Sequence, residues 1–155
     1  MTEKQFWAKL HQEANRKEKA LTNIVKLMRQ AYDEDLQIMI GCHHTEDGSV
    51  QQLYVALDED VNRTGMRYLL CYTNKDEAKN DALLPEPCEK VSVRAIVDNA
   101  LGKDSIGGLV LNRHKGEEGC CVIPKQFLGS YEMFMEAIAK GASAEHIDPY
   151  TFSVR

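Results

Sequence analysis

The chain has no run of about 18 consecutive apolar residues, which excludes a membrane-spanning helix of ordinary length. Its first residues, MTEKQFWAKLHQEANRKEK, lack the apolar core that a cleavable secretory signal needs. Nor is there a basic excess: 19 Lys and Arg stand against 24 Asp and Glu, a formal net charge of −5. A nucleic-acid binder neutralises phosphates with a basic face, so this balance argues against one. The basic run NRKEK at 15–19 is interrupted by Glu18 and reads as a solvated helix face. No cysteine pair has the C-x2-C spacing that wraps a turn around a structural zinc. The five cysteines are an odd count in no framework spacing, so a disulfide scaffold is not expected. A reducing, cytoplasmic compartment is the expectation, with export by a signal-less route left open. Gly107-Gly108 opens a strand rather than leading into a helix, and so lacks a phosphate-cradling context. Repeats, linkers and low-complexity stretches are also missing, and 155 residues suit one domain.

What is there reads as alternating helices and strands. Thr2 and Gln5 have capping-box spacing, and Trp7, Leu10, Ala14, Leu21, Ile24, Val25, Met28 and Tyr32 recur at helical intervals. Asn15 with Glu18 starts a second helix equally well, so residues 1–35 form one bent helix or two short ones packed on the remainder, 36–155. LQIMIGCHH (36–44) and VQQLYVALD (50–58) are strands around an Asp47-Gly48 turn. MRYLLCYT (66–73) is nearly continuous apolar sequence and suits a central strand. Asn74 and Glu77 then cap a helix that must stop before Pro85. SVRAIVDNALG (92–102) is a helix capped by Ser92 and ended by a left-handed Gly102. GGLVLN (107–112) and GCCVI (119–123) are strands joined by the polar loop RHKGEE, and Pro124 starts a last helix ended by Gly141. The tail HIDPYTFSVR adds an edge strand or is loosely held. The expected fold is a single α+β domain, a central mixed sheet with flanking helices in the order α-β-β-β-α-α-β-β-α.

The clusters GCHH (41–44) and GCC (119–121) invite a metal or thiol reading. On a strand Cys42 shares a face with Ile38, Ile40 and His44 while His43 points away, and Cys120 and Cys121 cannot both face one site. At best Cys42, His44, His114 and Cys120 converge, as a ligand-binding or thiol-enzyme cluster. No orienting third residue or oxyanion signature accompanies them, so no catalytic residue, metal or cofactor is expected. Free cysteine packs as a small hydrophobe, which accounts for Cys71 and Cys121. Phe6, Trp7 and Leu10 could dock an N-terminal arm on another subunit, with packing on their own sheet as the default.

Three ordered features resemble the SseB N-terminal domain family. They are an aliphatic strand ending in threonine before an acidic helix (LLCYTNKDEA), a helix followed by IGGLVLN, and a turn then a strand ending in proline (RHKGEEG, CCVIPKQFL). The resemblance covers about residues 36–138 by matching of element types and lengths. Arg113 stands where members often carry proline after the asparagine matched by Asn112. The resemblance implies a mixed α/β accessory or protein-interaction domain with no catalytic machinery. The surface expected to act is the loop of Asn112, Arg113, His114 and Lys115, a local positive patch on an acidic chain that would attract an acidic protein partner.

Overall fold

Thr2 opens the first helix as its spacing with Gln5 predicts. The Thr2 hydroxyl accepts from Gln5 N at 3.1 Å, and the Gln5 side chain accepts from Thr2 N at 2.9 Å, closing the capping box. The computed structural model describes residues 1–16, 21–57, 66–81, 89–118, 120–128 and 152–154, and its N-terminal segment is two helices, α1 (Glu3–Ala14) and α2 (Leu21–Asp33). Phe6 and Leu10 are fully buried in the core shared with the sheet, so they are not a free arm.

The stretch at 36–44 splits into β1 (Gln37–Ile40) and β2 (Cys42–His44), and that at 50–58 into β3 (Val50–Gln52) and β4 (Tyr54–Leu57). Both breaks have one cause. The central strand β5 (Arg67–Tyr72) pairs antiparallel with β1 at Met39↔Tyr72 and Ile40↔Cys71, and with β4 at Tyr54↔Leu69 and Val55↔Tyr68. Leu70 is the junction between them: its carbonyl accepts from Gly41 N at 2.9 Å and its N–H donates to Leu53 O at 3.0 Å. β2 and β3 therefore leave the sheet as a separate two-stranded arm, turned at Gly48 with φ 85°.

After β5 come α3 (Lys75–Asn80), β6 (Glu89–Ser92), α4 (Val93–Gly102), β7 (Ile106–Leu111) and β8 (Cys121–Pro124). β7 runs parallel to β5 and β8 antiparallel to β7; β6 lies beyond β1, and β9 (Phe152–Val154) lies beyond β4. The fold is the expected α+β domain with a mixed sheet, although its element order differs. β6 was hidden because Pro85 and Pro87 precede it and its own residues alternate charge with apolar character in only one pair. It is an edge strand, where such residues are tolerated. The tail does add an edge strand. Pro124 ends β8 and leads into a 3-10 turn, Lys125–Phe127, instead of opening a helix, and Gly102 remains helical rather than left-handed. The expected helix beyond Leu128, the approach to Pro85 and most of NRKEK lie outside the described residues.

Strand alternation builds two apolar layers. Ile38, Ile40, Leu69, Cys71, Leu109, Leu111 and Ile123 face α1, α2 and α4; Met39, Val55, Tyr68, Leu70, Tyr72, Val110 and Val122 face the other side, where Ala78 of α3 packs. Gly108, at φ 152°, lies so close to β8 that a Cβ there would meet Ile123 O at 2.0 Å. No helix among the described residues is long and apolar enough to cross a membrane.

Candidate functional site

The C-terminal ends of the parallel strands β5 and β7 carry the densest polar network among the described residues. Asn112 follows β7 with φ 51°, a left-handed conformation that asparagine tolerates. Fully buried, it binds back across the strand ends. Its Oδ1 accepts from Thr73 N at 3.1 Å, its Nδ2 donates to Thr73 Oγ1 at 3.0 Å, and its backbone N donates to Cys71 O at 3.0 Å. These bonds tie the two parallel strands where their ladder ends.

The RHK segment turns inward as a 3-10 turn, Arg113–Glu118. Arg113 Nη2 lies 2.5 Å from Asp81 Oδ1, and the side chains are 12% and 1% exposed. The other Asp81 oxygen accepts from Tyr72 Oη at 2.6 Å. Burial, then the bond to Asp81, raises the Tyr72 phenol far above its ordinary value. His114 Nε2 contacts Glu77 Oε2 at 2.9 Å, and Lys115 Nζ reaches Asn15 Oδ1 at 2.9 Å and Glu77 Oε1 at 3.5 Å. Glu77 explains why only half of its expected capping box forms. Its N–H donates to Asn74 Oδ1 at 2.8 Å, but its carboxylate is drawn away to His114 and Lys115.

This overturns the picture of residues 112–115 as an outward positive patch. Asn112 is buried, Arg113 and His114 are nearly so, and each of the three basic side chains meets a carboxylate. Two buried nitrogens, Arg113 Nε and His114 Nδ1, have no partner. His11, Asn15, Thr73, Glu77 and Asp81 were not named as site residues from sequence; Asn15, Thr73 and Glu77 figured there only as helix-cap and strand-end residues. The one available hint was the Asn74–Glu77 spacing, which placed Glu77 on the first turn of a helix beside the strand end.

The four-residue Cys/His cluster is not assembled. Cys42 lies in the apolar layer under α1 and α2, while Cys120 lies in the opposite layer. Cys42 and His44 do share a face and meet, with Sγ 3.8 Å from Nε2. The same Nε2 stands 3.3 Å from Glu89 Oε1, so the third group meets the nitrogen a thiol would use. An orienting partner in a nucleophile–base–orienter relay must hold the opposite ring nitrogen. His114 is engaged at Glu77. Cys42, Cys71, Cys120 and Cys121 are buried, and desolvation pushes Cys71 well above the usual thiol range. Among the described residues no three His, Cys, Asp or Glu side chains are placed to hold a metal ion.

One turn before His11, α1 borders an open cleft of about 520 Å³ lined by Trp7, Gln37, Met39, Lys75, Glu89 and Lys90. Trp7 is fixed by its Nε1–H, which donates to Gln37 O at 2.9 Å. Lys90 Nζ stands 5.7 Å from the Trp7 ring centroid and 3.0 Å from Glu3 Oε1. Lys75 is exposed and makes no ion pair with a described residue. The carboxylate on the rim, Glu89, is engaged by His44. No family model, curated protein or solved structure matches this chain.

Proposed function

We propose that the chain is an SseB-like, non-enzymatic protein-interaction domain whose docking surface is the Trp7 cleft. The order β5, Thr73, α3 and then α4, β7, turn, β8 supports the family reading. The cleft carries the functional one. An indole and a thioether form its apolar wall and floor, Lys75 and Lys90 offer cations at the rim, and His44 already engages Glu89. That charge pattern suits an acidic segment of a partner protein with an apolar residue between its carboxylates. The indole supplies a large, rigid contact of the kind that dominates interface energetics.

A display selection of random linear peptides against the immobilised protein tests the reading. Enriched sequences carry Asp or Glu on both sides of an aliphatic or aromatic residue, and lose binding to Trp7→Ala. Selected peptides without acidic enrichment, or with unchanged affinity for Trp7→Ala, overturn it.

A further inference from the structure

β6 is the last strand on its side of the sheet, and the phase of its ladder leaves one edge open. Its register on β1 is Gln37↔Ser92, Ile38↔Val91, Met39↔Lys90 and Ile40↔Glu89. One step further, Val93 N–H donates to Leu36 O at 2.9 Å. Bonded and non-bonded pairs alternate along an antiparallel ladder. Val91 and Glu89 therefore exchange their bonds with β1, while Lys90 and Ser92 turn their backbone N–H groups away from it. Among the described residues no backbone group meets the Lys90 N–H or C=O on that outer side.

An outward lysine is a common way to blunt such an edge. Lys90 does not serve that end, because its ammonium is drawn over the sheet face. It lies 3.0 Å from Glu3 Oε1 and 5.7 Å from the Trp7 ring centroid. Among the described residues the other terminal strands, β8 (CVIP) and β9 (FSV), carry no charge with which to select a partner.

The open edge and the Trp7 cleft are continuous. Lys90 stands opposite Met39 and Ser92 opposite Gln37, so these four residues share one face of the sheet. Gln37, Met39 and Lys90 line the cleft, and the Gln37 carbonyl holds Trp7. A strand laid along β6 would pair alternate residues with Lys90 and Ser92, and their side chains would emerge on this same face. A carboxylate opposite Lys90 competes with Glu3 for the ammonium. The position opposite Ser92 suits an apolar residue instead. Asp35, which accepts from Ser92 Oγ at 3.0 Å, already supplies a carboxylate there. A second copy of the chain fits less well. Outward-turned residues must meet outward-turned residues, so an antiparallel pair of β6 strands sets Lys90 against Lys90 or Ser92. Neither register offers it a carboxylate.

We propose that the acidic segment taken by the cleft binds as an extended strand added to β6, with an acidic residue opposite Lys90 and an apolar residue two positions away. The open edge stands on the ladder alone; the identity of the added strand rests on the docking role proposed above.

Amide hydrogen exchange of the free protein tests the edge without any partner. Lys90 is expected to exchange fast and Val91 slowly, and equal protection of the two overturns the open edge. The added strand is tested with an acidic peptide selected on the cleft, methylated at one backbone nitrogen at a time. Affinity is expected to fall about tenfold at every second residue and to hold at the residues between. A second route changes the protein. Ser92 has φ −56°, which proline adopts, and its N–H is not used by β1. Ser92→Pro is expected to bind the peptide severalfold more weakly than Ser92→Ala, which loses the same Asp35 bond but keeps the N–H. A peptide that needs Trp7 yet tolerates methylation at every nitrogen refutes strand addition and leaves the docking role standing. Equal binding by Ser92→Pro and Ser92→Ala does the same. If no selected peptide depends on Trp7, the docking role and the added strand both fall, while the exchange pattern still reports on the edge. A dimer of the natural sequence that Ser92→Pro dissolves would assign the edge to a second copy and overturn the proposal.

Discussion

Two regions of basic side chains meet the first helix and its cap about two turns apart, at Trp7 and at Asn15, and they use charge in opposite ways. At the strand ends Arg113, His114 and Lys115 are turned inward onto Asp81 and Glu77. At the cleft Lys75 stands exposed, and Lys90 lies over Trp7 and pairs with the half-buried Glu3. A charge run in a sequence is therefore no guide to surface potential. Three consecutive basic residues here serve to anchor a turn, while two lysines separated by 15 positions remain on an open rim. The buried set resists change and tolerates little; the open set costs little to change and governs recognition.

The contrast is broken most forcefully at Arg113. Arg113→Ala removes the guanidinium from the Asp81 carboxylate, whose side chain is 1% exposed, and breaking a buried ion pair from one side costs about 3–5 kcal/mol. Urea unfolding of this variant measures that loss, whereas Lys75→Glu stays within about 0.5 kcal/mol of the natural sequence. The positive-patch reading of the loop expects charge reversal at 113 to leave the melting temperature alone, and burial reverses that expectation. Asn112 is the next test. Asn112→Ala loses two side-chain bonds to Thr73 and places alanine at φ 51°, a loss of about 2–3 kcal/mol. Asn112→Gly recovers only the backbone part.

A smaller effect is expected at Tyr72. Tyr72→Phe removes one bond to Asp81, worth about 1–2 kcal/mol by denaturant titration. Because the folded phenol is raised above the unfolded 10.0, its contribution is complete below pH 10 and is lost as pH climbs higher. The alkaline decline in melting temperature should therefore be shallower in Tyr72→Phe. The least effect belongs to the tip of the β2–β3 arm. There Thr45 Oγ1 first, then Ser49 N, donate to Asp47 and depress it from 3.8 to about 2. A depressed carboxylate contributes above its unfolded value and loses that contribution between pH 3.8 and about 2. Asp47→Ala should loosen only the Thr45–Ser49 turn, seen as faster amide exchange there with an unchanged melting temperature.

Much of the scaffold was legible from local chemistry. The Thr2–Gln5 box, the buried run at 68–72, the glycine at 48 and the opposite facing of Cys120 and Cys121 follow from rules that act over a few residues. The breaks at Gly41 and Leu53 were not legible, because both are made by Leu70, a residue far along the chain. The site was hidden for the same reason. Lys115 meets Asn15 across 100 positions and His11 meets Thr73 across 62, and no periodicity encodes such pairs. Asn112 was named as a loop residue, yet its left-handed backbone and burial became apparent only when β5 and β7 lay side by side.

The most direct measurement titrates a cleft-selected acidic peptide into the natural sequence, Lys75→Glu/Lys90→Glu and Lys115→Glu. The readout is the fluorescence of Trp7, the one tryptophan in the chain. Weakening of about tenfold or more in the double variant, about 1.4 kcal/mol, with little change in Lys115→Glu, is the predicted result. The reverse order would contradict the account and return recognition to the 112–115 turn.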